Sequence, residues 1–245
     1  YFEVNGFRRD QVTWLPVAFD LTRMPPMRGR NLYENGLLQC DLVFVGTPGI
    51  YMDRYAEWQY DDELGVKYCS KFKDFARSDL NKYIGYNNLS FEYAERAEYL
   101  IRLSQDFDLR IYDHCQPPVY WSALQRGKIG FNRSLRYDIC TRVFEIPAAG
   151  LLLCTDSQPM LDKLFANHCY LQYIDHFQPQ FHNFTLDYDC LWRQLKETLL
   201  MWDDKNNQWG FQEQVDALQN HVLENHSYLN RVDKIIEIWE RQYKS

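Results

Sequence analysis

The sequence carries no excess of positive charge. Its 27 Lys and Arg face 34 Asp and Glu, giving a net charge of -7 and a pI near 5.4. Broad binding to a phosphate backbone needs a basic surface, so this balance argues against nucleic acid as a partner. It leaves room for a small anion site built from a few arginines. Also missing is any apolar run of about 18 or more residues, so no membrane span is expected, and no secretory leader is seen. Cysteine occurs 7 times but never as Cys-x-x-Cys. That odd, unpatterned count reads as reduced thiols in a cytoplasmic compartment. No Gly-x-Ser-x-Gly elbow, Walker loop or Gly-x-Gly-x-x-Gly turn occurs. His168, His176 and His182 lack metal-ligand spacing, so no metal is expected.

What is present supports a substantial core. Hydrophobic residues make up 46% of the 245 positions, and 18 Tyr, 15 Phe and 7 Trp raise the aromatic share to 16%. This suits one large domain or two small ones. The chain opens in what reads as mid-structure, and an upstream segment is expected. Residues 1–40, with Gln11 to Asp20 extended and Pro25-Pro26 in a loop, read as a connector. Residues 41–245 read as the domain proper.

Five short apolar runs read as buried parallel strands: 41–45, 109–112, 128–131, 151–154 and 170–174. Helical periods separate most of them, over 92–105, 119–126, 138–150 and 159–165. This alternation predicts a Rossmann-like α/β fold, a parallel sheet with helices on both faces. The segment 50–88 is expected to hold one or two helices and a loop, with Asp61-Asp62-Glu63 as a solvated acidic patch. From Asp187 onward the pattern is helical only, a C-terminal cap. Its stripes are Leu191, Leu195 and Leu199, then Phe211, Val215, Leu218 and Val222, then Leu229, Val232, Ile236, Trp239 and Tyr243. Ser227 is the expected cap of the third.

The unit Lys128–Asp156 carries the chemistry. Ile139, Val143, Phe144 and Ile146 share one side of its helix, while Asp138, Arg142 and Glu145 share another at steps of three or four. Asp138 suits an N-cap, Gly150 suits a C′ glycine, and Pro147 should bend or shorten the last turn. An acid–Arg–acid stripe then sits near the carboxyl ends of the strands, where open parallel sheets bind ligands. Asn132 and Arg133 end one of those strands, and Asn132 suits either a ligand contact or a turn. Gly46-Thr47-Pro48-Gly49 follows the first strand. Such a turn can bring backbone N–H groups to a phosphate, or can be ordinary loop chemistry.

Arg142-Val-Phe-Glu-Ile-Pro-Ala-Ala-Gly150, with the apolar strand and Asp156-Ser-Gln-Pro159 after it, resembles the C-terminal domain of CgeB-like (spore maturation type) glycosyltransferases of the GT-B fold. Trp14 to Asp20, Asp41 to Gly46 with Arg54 downstream, and His226 to Arg231 are similar to other parts of that domain, in the right order. The resemblance implies one half of a GT-B fold that binds a nucleoside-diphosphate sugar. Glu145 would accept hydrogen bonds from the ribose hydroxyls, for which a carboxylate offers two acceptor oxygens and no donor. Arg142 would face the diphosphate, with Gly46, Thr47 and Arg54 near it. Tyr112 and Asp113 would border the base, and Asn132, Arg133 and Asp138 the sugar or phosphate. Asp138 fits an N-cap at least as well.

A sugar would pass from this donor to a hydroxyl of an acceptor, whether glycan, protein or small molecule. No cofactor or metal is implied. The family's N-terminal acceptor domain is not seen here, so that domain or a partner chain is expected to complete the site, and the chain could be inactive without it. Two other readings remain: a non-enzymatic scaffold with the same half-fold, and a flavodoxin-like binding module.

Overall fold

The computed structural model describes residues 15–20, 22, 38–48, 55–73, 91–134, 139–158, 160–165, 170–173, 175–178, 183–186, 188–204 and 206–243. All five predicted strands form. They are β1 (Cys40–Val45), β4 (Leu109–Tyr112), β5 (Gly127–Phe131), β6 (Leu152–Asp156) and β7 (Leu171–Tyr173). They pair in parallel in the order β4-β1-β5-β6-β7. Both faces are covered, which is why the strands read as continuous apolar runs. Leu42 and Phe44 enter one core layer, and Val43 and Val45 the other.

The helices divide between these layers. Those named here are α1 (Phe91–Asp106), α2 (Val119–Leu124), α3 (Arg142–Ala148), α4 (Leu161–Phe165), α5 (Tyr188–Asp203), α6 (Gln208–Asn225) and α7 (Tyr228–Tyr243). Leu100 and Leu103 of α1 and Leu195 of α5 bury against the Leu42 side. Trp121 of α2, Phe144 of α3 and Phe165 of α4 bury against the Val43 side. Helix α6 touches both, through Phe211 and Val215 on one side and Leu218 and Val222 on the other. This is the expected Rossmann-like α/β architecture, with a helical C-terminal cap. Among the described residues, no helix is long and apolar enough to cross a membrane.

Segment 50–88 is described only over residues 55–73, and there the sequence reading needs two corrections. Residues 56–72 form an antiparallel hairpin, not helices: β2 (Ala56–Asp61) and β3 (Val66–Phe72) extend the sheet beyond β4. Trp58, Tyr60, Val66 and Tyr68 favour a pleated, half-covered edge more than a helix. Nor is Asp61 solvated. It is 7% exposed, accepts from the turn N–H of Leu64 at 3.1 Å and from the Tyr112 hydroxyl at 2.9 Å, and lies 3.7 Å from Arg126. The carboxylate closes the hairpin turn and fastens it to β4.

The organising helix is shorter than the sequence suggests. It runs only over Arg142–Ala148, with Thr141 at the N-cap position. Its end is as expected: Gly150 has φ +76°, Leu151 N–H donates to Ile146 O at 3.3 Å and Gly150 N–H to Pro147 O at 2.9 Å. These are the two bonds of a Schellman ending. Pro147 falls in the last turn, where the helix is already closing.

The first two apolar stripes of the cap are buried, but the third faces outward, with Leu229 63% and Trp239 52% exposed. At the start of α7, Ser227 Oγ accepts from Asn230 N–H at 3.3 Å. Arg231 Nε donates to Pro16 O at 2.9 Å, and Phe19 bridges Ser227. The His226–Arg231 motif thus straps residues 16–19 onto the domain.

His226 lies inside this strap. Its ring stacks on Phe144 at 5.0 Å, Arg231 donates to Nδ1 at 2.9 Å, and Nε2 then donates to Leu164 O at 2.9 Å. Burial, reinforced by the Arg231 and His221 charges, pushes its pKa down to about 4. The unfolded chain takes up this proton near pH 6.5, while the folded chain resists it. Stability is therefore full above pH 6.5 and falls as the pH drops from 6.5 towards 4, by at most about 3 kcal/mol. Urea midpoints at pH 7 and 4.5 should differ accordingly in the wild type. His226→Gln should flatten that difference.

Candidate functional site

The order of the parallel strands reverses between β1 and β5. Chain connections leave that point in opposite directions, which opens a crevice above the carboxyl ends. Arg142, the first residue of α3, stands there. Its Nη1 donates to Asn132 Oδ1 at 3.2 Å, just past β5. Its guanidinium lies over the ring of Phe44 of β1, 4.7 Å from the centroid. Gly46 makes this possible: it has φ +139°, and a Cβ there would collide with the Arg142 guanidinium. Gly46→Ala would combine left-handed strain of about 1–3 kcal/mol with displacement of Arg142. We expect a lower urea midpoint together with loss of ligand binding; a midpoint within error of wild type would contradict this packing.

One turn along α3, Glu145 shares a cavity of about 490 Å³ with Arg142 and Thr141. Tyr120 and Trp121 of α2, Cys115 and Pro117 of the loop after β4, and Phe19, Asp20 and Tyr228 of the strap complete its wall. The Tyr120 hydroxyl donates to Glu145 Oε2 at 2.5 Å. Burial raises the Glu145 pKa, while the Tyr120 bond and the Arg142 charge oppose the rise. The Tyr120 hydroxyl, buried beside that carboxylate, is held well above its ordinary range. It stays a donor at any working pH and fixes the carboxylate's orientation.

The other predicted residues are placed as follows. Arg54 and Asp138 lie outside the described residues. Gly46 N–H continues the ladder to Tyr112 O at 3.0 Å, so of the two backbone donors expected at this turn, only that of Thr47 lacks a sheet role. Asn132 is fully buried. Its Nδ2 donates to Thr155 Oγ1 at 2.9 Å, and its Oδ1 accepts from Arg142, so it orients the arginine. Arg133 does not reach the cavity wall. It is 2% exposed, with Nη1 3.4 Å from Asp156 Oδ2 and 3.0 Å from Ser134 O. Tyr112 is buried and turned towards Asp61 in the hairpin. Asp113 pairs with His114 at 2.7 Å. The structure thus brings together Arg142, Glu145, Gly46 and Asn132, and directs Arg133 and Tyr112 into the scaffold.

Sequence reasoning missed Tyr120 and Arg96. The latter comes from α1 and is 5% exposed. Among the described residues, no carboxylate bonds to Arg96 or Arg142, and no group of three His, Cys, Asp or Glu is placed to hold a metal. Buried Nε atoms of both arginines lack a hydrogen-bond partner. Among the described residues, then, neither guanidinium is bonded to a carboxylate, and Glu145 is near enough to Arg142 for their charges to interact.

Residues 90–237, more than half of the chain, match the family described as glycosyl transferase-like, and the chain belongs to that family. The matched span contains Arg96, Tyr120, Arg142 and Glu145. No curated protein matches the chain. Membership implies a sugar donor and an acceptor.

Proposed function

We propose that this chain is the donor-binding half of a GT-B-type glycosyltransferase, similar to the C-terminal domain of the CgeB-like (spore maturation type) enzymes. It would transfer a sugar from a nucleoside-diphosphate sugar to an acceptor hydroxyl. Residues 41–245 form the donor domain and residues 1–40 the connector. An N-terminal acceptor domain or a partner chain brings the acceptor and any general base.

One observation carries this reading. Arg142 and Glu145 line a single cavity wall at the point where the strand order reverses. A guanidinium and a carboxylate one helical turn apart match the two ends of a ribose diphosphate: the diol towards Glu145 and the phosphates towards Arg142. As the sugar departs, negative charge grows on the diphosphate. Arginine groups already in place stabilise that charge without reorganising, and this is the main catalytic work open to the domain. Arginine, rather than a metal, meets the charge in this mechanism.

The five parallel strands also follow the order of flavodoxin-like domains, and this favours a second reading as a flavin or phosphosugar module. A thermal-shift panel separates the two. Ligand at about 100 times its dissociation constant adds roughly 2.7 kcal/mol of stability. A shift with one of UDP, GDP, ADP or TDP, or its sugar, that is lost in Glu145→Ala supports the donor site. A shift with flavin alone supports the module, and no shift with any of them supports a scaffold.

A further inference from the structure

We infer that Arg96 is a positioning residue for the diphosphate, a clamp from α1 that fixes the β1 and β5 loops so that Arg142 is held ready for the anion. The inference rests on the donor reading and extends it to a residue that never enters the cavity wall.

The geometry is specific. Arg96 Nη1 donates to Thr47 O at 2.9 Å, and Nη2 donates to Arg133 O at 2.8 Å. One planar group therefore spans the loops that leave β1 and β5, the two strands flanking the crevice. Its guanidinium lies 5.7 Å from the Phe44 centroid, the same ring that carries Arg142. Ser134 N–H donates to Asp156 Oδ1 at 2.8 Å, so the β5 loop is held at two successive residues. Asn132 opens that loop and presents Oδ1 to Arg142. The linkage runs from Arg96 through the loop to Asn132 and on to the arginine at the cavity.

The cation also contributes as a charge. Burial, and then the neighbouring Arg142 charge, lower the Arg96 pKa to about 10, so it remains charged at neutral pH. Holding two like charges this close opposes stability and gains from a bound anion. Lysine would keep the charge, but a single ammonium cannot reproduce a planar fork between two carbonyls.

The test compares wild type, Arg96→Lys and Arg96→Gln by calorimetry with UDP, GDP and ADP and with uridine, guanosine and adenosine. We expect Arg96→Lys to melt cooperatively, to weaken the preferred nucleoside diphosphate tenfold or more, and to leave the nucleoside's affinity within twofold. Arg96→Gln should weaken the diphosphate further. Equal losses for nucleoside and diphosphate would show a merely structural residue and overturn the inference, as would undiminished diphosphate binding. If neither variant folds, hydrogen exchange on the wild type decides. The bound diphosphate should slow exchange at residues 46–47 and 132–134, and no slowing at either loop overturns the clamp. A wild type that binds no nucleoside diphosphate removes the donor reading and the clamp's role together, a result distinct from failure of Arg96 alone.

Discussion

Asp156→Ala is expected to destabilise the fold by about 3–5 kcal/mol, the range for breaking a buried ion pair. Asp156 ends β6 at 0% exposure. Its carboxylate accepts from Ser134 N–H at 2.8 Å, Arg133 Nη1 at 3.4 Å and Gln158 Nε2 at 3.1 Å. Alanine leaves Ser134 N–H without its acceptor and removes one acceptor each from Arg133, Gln158 and Thr155, in a place water does not reach, and an orphaned buried donor costs about 1–3 kcal/mol. The double variant Arg133→Met, Asp156→Leu should recover part of the loss, because neighbouring effects in one network do not add. Urea unfolding measures both. A loss for Asp156→Ala below about 1 kcal/mol would mean that the β5 loop is not held through this carboxylate.

Arg142→Ala should produce the largest change in binding. A hydrogen bond to a charged group is worth about 1.5–3 kcal/mol, so affinity for a nucleoside diphosphate should fall roughly tenfold to more than a hundredfold. Arg142→Lys should not restore it, since the native group reaches Asn132 while lying over the Phe44 ring. Discrimination between diphosphate and monophosphate should shrink in both variants. Unchanged affinity would place the phosphates elsewhere. The pH dependence has a defined sign as well. Burial raises the Glu145 pKa, and the proton removes acceptor capacity for the ribose. Donor affinity should therefore begin to fall, as pH is lowered, at a higher pH than an ordinary carboxylate would give.

The parts of the fold visible in the sequence are those where burial dominates local pattern. Strands β1 and β4–β7 are covered on both faces, so the runs Leu42–Val45 and Leu151–Cys154 stand out without any alternation. The β2–β3 hairpin does not stand out. It is a half-exposed edge in which Glu57, Gln59, Lys67 and Lys71 interrupt the aromatic positions, and its Asp61-Asp-Glu turn resembles a charged surface until Asp61 is seen against Tyr112. The shortening of α3 was hidden for a related reason, since periodicity continues into residues that are not helical.

For the site, the stripe of Arg142 and Glu145 was legible because a helix fixes which residues share a face. Asn132 and Arg133 follow directly on the last residue of β5, as the apolar run 128–131 implies. Sequence position alone could not show that one would orient Arg142 while the other turned inward to Asp156. Arg96 sits among Glu95, Ala97 and Glu98 and looks like a surface residue. Its spacing held the missing signal: it lies three residues after Tyr93 and four before Leu100, on the apolar side of α1. Tyr120 carries no signal in the sequence, because a tyrosine in a short amphipathic helix is ordinarily a packing residue.

The most direct measurement is the affinity of the preferred nucleoside diphosphate and of its 2′-deoxy analogue, for wild type and for Glu145→Ala, by titration calorimetry. If Glu145 holds the ribose, the wild type should favour the ribonucleotide by roughly tenfold, the worth of one hydrogen bond to a charged group. Glu145→Ala should bind both forms equally. A preference that survives in Glu145→Ala, or equal binding of both forms by the wild type, would contradict the assignment of this cavity to a nucleotide-sugar donor.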